Sequence, residues 1–193
     1  DIPLKYNGEG VFRLYAQAPD EVKQQIKEHL DALIDWFGDM DIEHHNYYVD
    51  VRIRDRFIPG DLNLDHRSVN EGFMFLLFYL LLFTSKYTPP FFAIENLETA
   101  LNPRLCAKLT HTLAGLAKQH DKQVIITTHN PAVLDGLDLN DDQQRLFVVR
   151  RTGDGGTTVE RIIPRPPRNP DAEPISWGEA WMKGYIGGLP ENF

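Results

Sequence analysis

Apolar and polar positions along the chain change period several times, and each change marks an element. Val22, Ile26, Leu30, Leu33 and Ile34 recur at helical spacing, so the pattern predicts a helix opened by Pro19-Asp20 and stopped at Gly38. The residues ahead of it, from Val11, read as a short strand or loop. Tyr47, Val49, Val51 and Ile53 then fall on one side and Asp50, Arg52 and Arg54 on the other, the period of a strand with one wet face. Pro59-Gly60-Asp61 is a turn. Residues 73–83 are almost wholly apolar, about half the length that spans a bilayer. They read as a buried helix, broken by Thr88-Pro89-Pro90.

The second half repeats a simpler grammar. Phe91-Phe92-Ala93-Ile94 is a short apolar strand that ends abruptly in Glu95-Asn96. Residues 103–120 form a helix, with Pro103 suited to its first turn and Leu105, Leu109, Leu113 and Leu116 inward. Residues 123–128 are a second buried strand, ending at His129-Asn130-Pro131. Residues 146–150 and 157–162 make a hairpin around Gly153-Asp154-Gly155-Gly156. Strand, helix and strand with apolar strands indicate an α/β fold, a mostly parallel sheet covered on both faces and flanked by helices. Residues 1–193 read as one domain, and 165–193 as a Pro-rich, extended C-terminal tail carrying Trp177 and Trp181.

Composition narrows the class. A length of 193 residues suffices for one sizeable core, and 42% hydrophobic with 25% charged residues is ordinary for a globular protein. A formal net charge of −8 argues against a surface built throughout for nucleic acid, though a local basic patch is compatible with it. The single cysteine, Cys106, excludes an internal disulfide and points to a reducing, cytoplasmic setting. The start at Asp1-Ile2-Pro3, with no initiator Met and no targeting segment, reads as a piece of something longer.

Ligands of parallel sheets bind beyond the carboxyl ends of the strands. Two polar clusters occupy that position, Glu95-Asn96-Leu97-Glu98 after the first strand and His129 after the second. A carboxylate there can hold Mg²⁺, and a histidine can reach a terminal phosphate or an attacking water. Each residue alone also has a plainer reading. Glu95 or Glu98 can favour the following helix N-terminus, and His129 can be structural. Asn70-Glu71-Gly72, directly before the apolar helix, offers free N–H groups and a close approach for phosphate, or simply a capped helix start.

Taken together these segments resemble the ABC-type ATPases of the structural-maintenance-of-chromosomes (SMC), RecF and overcoming-lysogenization-defect kind, nearest the bacterial AAA-family proteins of phage defence and DNA metabolism. Val69-Asn70-Glu71-Gly72 looks like the signature motif and Phe92-Ala93-Ile94-Glu95-Asn96 like the Walker B strand. Thr99-Ala100-Leu101-Asn102-Pro103 looks like the D-loop and Thr127-Thr128-His129-Asn130-Pro131 like the switch-histidine loop. The match runs over residues 70–135, with these motifs in order and spacing. It implies the C-terminal half of a P-loop ATPase head that dimerises head to head around ATP and Mg²⁺. It implies that Asn70, Glu71, Gly72 and Asn102 bind the nucleotide across the dimer, that Glu95 takes the metal, and that His129 senses the γ-phosphate. A second head, an N-terminal lobe carrying Walker A, and a nuclease or DNA are the partners it implies, with no membrane.

The departures matter as much. Glu95 replaces the usual Asp, and Asn96 stands where the catalytic Glu is expected. An amide can orient water but cannot take its proton, so Glu98 becomes the alternative base. No Gly-x-x-x-x-Gly-Lys-Ser/Thr occurs in the sequence; residues 7–10 and 153–156 are Gly-rich but lack the Lys. An ATPase, catalytic through Glu98, Asn96 and His129, is therefore weighed against a hydrolysis-poor module that serves as an ATP-dependent dimerisation platform. A two-metal nuclease built on Glu95, Glu98, Asp135 and Asp138 is the weaker third reading.

Overall fold

The computed structural model describes residues 10–45, 49–60, 62–65, 67–164 and 175–188. Helices α1 (Val11–Ala16) and α2 (Asp20–Leu33) lead into an antiparallel sheet of β1 (Phe37–His44), β2 (Val49–Asp55) and the two-residue β3 (Asn63–Leu64). Helix α3 (Glu71–Thr84) follows, then β4 (Phe91–Ile94), α4 (Pro103–Gln119) and β5 (Gln123–Ile126). The chain closes with α5 (Pro131–Leu134), the hairpin β6 (Leu146–Arg151) and β7 (Thr157–Ile162), and α6 (Trp177–Met182).

Helix α3 is the centre of the core. Phe73, Leu76, Leu77, Tyr79, Leu80, Leu81 and Phe83 are all nearly inaccessible, as an all-round apolar helix must be when other elements enclose it. Leu109, Leu113 and Leu116 of α4 and Ile26 and Leu30 of α2 share that core, each at the helical spacing expected from the sequence. Val51 and Ile53 of β2 face it too, while Arg52 on the opposite face pairs with Asp41 and Glu43 of β1. Tyr47 lies outside the described residues.

Three elements differ from the sequence expectation. Residues 11–16 are a helix, because Val11, Leu14 and Tyr15 share one face and bury together. Helix α2 ends at Leu33, and Gly38 is not its stop but lies at an irregularity in β1, between Phe37 and Asp39. A Cβ at Gly38 would stand 3.1 Å from the Arg54 carbonyl oxygen, so a side chain there would press the paired strand outward by a few tenths of an ångström. Part of the expected extended tail is helical: Ser176 caps α6 by accepting from Glu179 N–H, and Gly178 lets that helix press against α5. Residues 165–174 and 189–193 of that tail lie outside the described residues.

The α/β character holds, with parallel pairing confined among the described strands to β4 and β5. They run Phe91 against Gln123 to Ile94 against Ile126 in register, so both carboxyl ends reach one rim. Phe92, Val124 and Ile126 pack toward the core on one face of this pair. The other face was expected to be covered as well; instead Phe91 and Ile125 are each 55% exposed. No described residue lies over it deeply enough to bury them. The loop that precedes β4 is tied down by Lys122, whose Nζ donates to the carbonyls of Ser85, Thr88 and Pro89 and to the Thr88 hydroxyl at 2.9–3.2 Å. Among the described residues no helix is long and apolar enough to cross a membrane.

Candidate functional site

The rim at the ends of β4 and β5 is built from the turn over residues 95–102 and the loop over 127–130. Glu95 is the first residue past β4 and is exposed. Asn96 turns the chain at a φ of 51°, in the left-handed region that asparagine tolerates better than most residues. Its N–H donates to Thr127 Oγ1 at 3.2 Å, and its carbonyl accepts from Thr99 N–H at 3.0 Å and from the Thr99 hydroxyl at 2.8 Å. Leu97 is fully buried beneath the turn. The rim is thus held by backbone polar groups and an apolar plug, which leaves the Glu95 side chain facing water.

Glu98 behaves differently. Its Oε2 accepts from the Thr128 hydroxyl at 2.7 Å and its Oε1 accepts from His129 N–H at 2.9 Å. Burial pushes its carboxyl up, but the donations from His129 N–H and the Thr128 hydroxyl prevail and hold it below its ordinary value. Thr128 Oγ1 also accepts from Asn130 N–H at 3.0 Å. Asn130 caps α5 through Ala132 N–H at 3.0 Å and reaches Cys106 Sγ of α4 with its amide at 3.9 Å. His129 itself is exposed at the rim, on a loop fixed from both sides.

The signature-like segment forms a second focus. Asn70 Oδ1 accepts from Phe73 N–H at 2.8 Å and Asn102 Oδ1 from Leu105 N–H at 2.9 Å, so both asparagines cap helices, α3 and α4 respectively. Each cap takes up one first-turn donor, and the other N–H groups of that turn have no partner within the helix. The two helix starts meet: a Cβ on Gly72 would stand 3.0 Å from the Ala100 carbonyl oxygen, and Ala100 is held at a φ of 60°. A cleft of about 490 Å³ lies here, lined by Asn70, Glu71, Gly72, Ala100 and Asn102 together with Trp36. The expected nucleotide residues therefore share one concavity, while Glu95, Asn96, Glu98 and His129 share the rim. Residues 97–101 connect the two.

Sequence reasoning placed Thr127 and Thr128 in the switch-like loop and Ala100 in the D-loop-like segment, but assigned none of them a contact within the chain. The first two receive and give the hydrogen bonds that join the turn to the loop, and the third fills the space that Gly72 leaves. A pair of hydroxyl residues at a strand end, opposite a carboxylate one strand away, was the available signal. The nuclease cluster does not form: Glu98 is spent on the loop, Asp135 Oδ1 accepts from Gly178 N–H at 2.7 Å, and Asp138 Oδ1 from Asn140 N–H. Among the described residues no group of three or more His, Cys, Asp or Glu is placed to hold a metal.

Comparison with known proteins bears on the fold and the family. A family model described as "AAA domain, putative AbiEii toxin, Type IV TA system" matches residues 17–135, more than half of the chain. No curated protein sequence matches it. Among solved structures, one described under ATP-driven dimerization and DNA-stimulated activation of SMC ATPases superposes with a TM-score of 0.55 at 13% identity, covering 78% of this chain and 86% of that one. An SMC head bound to the C-winged helix domain of ScpA gives 0.57 at 11% identity, over 82% of this chain and 56% of that one. The SMC head domain from Thermotoga maritima gives 0.51 at 19% identity, over 79% and 51%. The chain thus spans about half the length of those last two heads, and at these identities the likeness is one of fold.

Proposed function

The chain belongs to this AAA-domain family, and from that premise we propose that it is the γ-phosphate-sensing and dimer-clamping half of an ABC-type ATPase head. The observation that carries the reading is the meeting of four separate segments in two adjoining places. Glu95 and the His129 loop share the rim of the parallel strands, and Gly72 packs on Ala100 in the neighbouring cleft. A nucleotide held between two heads needs one surface that meets its own phosphates and another that meets the partner's, and these two places answer to them.

Glu95, an exposed carboxylate at a strand end, is a fitting oxygen ligand for Mg²⁺, which would supply charge neutralisation at the phosphates. His129 stands where a γ-phosphate oxygen can be met. The starts of α3 and α4 offer first-turn N–H groups and their positive dipole ends to the phosphate of a facing head. The N-terminal lobe with the phosphate loop is the partner that the open face around Phe91 and Ile125 suits, since apolar strand faces of this kind are buried in α/β sheets. Phage defence or DNA metabolism is the setting in which we place the complete head, with a nuclease or DNA as its client and the cytoplasm as its location.

Asn96 favours a second reading, a clamp that turns over slowly, because the slot next to Glu95 holds no proton acceptor and orients water only. The test is ATP-dependent dimerisation. The chain joined to its phosphate-loop half is expected to dimerise with Mg-ATP, and Gly72→Asp or His129→Ala to weaken the dimer at least about tenfold, a loss of roughly 1.4 kcal/mol. Tight Mg-ATP binding by this chain alone, undiminished by Glu95→Ala and His129→Ala, would overturn the proposal.

A further inference from the structure

We infer that Glu98 is a positioning residue, a carboxylate latch that fixes the His129 loop against the turn after β4, and that it is not the base that activates water. The inference rests on the nucleotide-head reading above and assigns the residue that presents its phosphate sensor. Both carboxylate oxygens bear a donor from the loop, the Thr128 hydroxyl at 2.7 Å and the His129 N–H at 2.9 Å. On its own side Glu98 is held by its carbonyl, which accepts from Leu101 N–H at 3.0 Å. On the far side the loop continues into α5, with Thr128 Oγ1 accepting from Asn130 N–H and Asn130 reaching Cys106. The latch therefore closes a path from α4 through the turn to the loop and back to α4.

A general base needs an oxygen turned to water and enough proton affinity to take its proton. Each Glu98 oxygen is already turned to a loop donor, and those same bonds weaken the carboxylate as a base. The titratable groups that face it are His129 on the loop, Tyr79 from α3 and Cys106 from α4. Burial and the Glu98 charge push Tyr79 up to about 12 and raise Cys106 as well, so both stay neutral near neutral pH and neither adds a charge beside the Glu98 carboxylate. A backbone N–H at the residue before a helix cap moves with its loop, so anchoring that N–H anchors the imidazole it carries.

Amide exchange on the full chain reads the latch directly. In the native chain the His129 amide is expected to be protected, and Glu98→Ala to lose that protection by about tenfold or more, the scale of one charge-assisted hydrogen bond. Glu98→Gln keeps an acceptor for His129 N–H and is expected to restore it. In the complete head, Glu98→Gln should then retain ATP turnover within about threefold, while Glu98→Ala loses it together with the exchange protection; a lost general base instead costs roughly 10²–10⁴-fold. Turnover in Glu98→Gln falling that far with His129 protection intact would make Glu98 the base and overturn the inference. So would unprotected exchange at His129 in the native chain. If the complete head neither binds nor hydrolyses ATP, the nucleotide reading fails by itself, and the exchange series still decides whether the latch exists.

Discussion

Asn96 offers a perturbation whose cost can be worked from the backbone. The residue sits at a φ of 51°, where a Cβ crowds the following carbonyl oxygen and an ordinary L-residue pays about 1–2 kcal/mol. Asparagine relieves part of that cost, and glycine all of it. The hydrogen bonds at this position, N–H to Thr127 Oγ1 and carbonyl from Thr99, belong to the backbone and survive any side chain. Asn96→Ala and Asn96→Glu are therefore expected to lose about 1 kcal/mol each. Asn96→Gly should stay within about 0.5 kcal/mol of the native chain, its relief offset by greater freedom in the unfolded state. Urea unfolding measures this as a fall in midpoint at constant slope, and a thermal scan as a drop of roughly 2–4 °C for each kcal/mol in a chain of this size. If Asn96→Ala proves as stable as Asn96→Gly, the turn is not strained and the reasoning fails. In the complete head the same Asn96→Glu substitution puts a carboxylate in the slot beside Glu95. A gain in ATP turnover despite the lost stability would show that the slot had been waiting for a base.

Two further outcomes follow from packing and charge. Gly136, after α5, faces α4 so closely that a Cβ would overlap the Ala107 carbonyl oxygen and stand 2.6 Å from Thr110 Cβ, so Gly136→Ala should cost about 1–3 kcal/mol by urea unfolding, and a loss below about 0.5 would refute the contact. Burial lowers the pKa of His29 and of His120, the latter also through Lys122 and His29. The unfolded chain therefore binds these protons more readily, and stability should be full above pH 6.5 and decline as pH falls below it. Urea midpoints compared between pH 7.5 and 5.5 test this, with a smaller decline expected in His120→Gln and a rise toward acid pH counting against the reasoning.

Much of the arrangement was legible because long elements carry their own period. Helices α3 and α4 and strands β4 and β5 announce themselves by apolar runs bounded by Pro, Asn and Gly, and the rim clusters follow from strands that end abruptly. The short elements were not legible. Six residues from Val11 give too few turns to separate a helix from a strand, and α6 depends on its contact with α5 rather than on its own pattern. Strand β1 does alternate, Met40 and Ile42 inward against Asp39, Asp41 and Glu43. Gly38 beside it suggested a helix stop and hid the alternation. Within the site, residue types identified Glu98 as chemically able, but only the distances to Thr128 and His129 reveal what it is occupied with. Sequence fixes which groups are present, and tertiary contact decides which of them are free.

The uncovered face of the parallel pair also bears on what happens to the chain before it finds its place. Among the described residues, Phe91 and Ile125 present an oily, two-stranded platform whose outer edges pair with no further strand, the kind of surface on which polypeptides mispair and clump. Two features limit the hazard. Each strand is only four residues long, so a stray strand gains few ladder bonds, and a net charge of −8 keeps copies apart in dilute salt. Raising the salt removes the second protection but not the first, which makes solubility of the isolated chain a question of ionic strength.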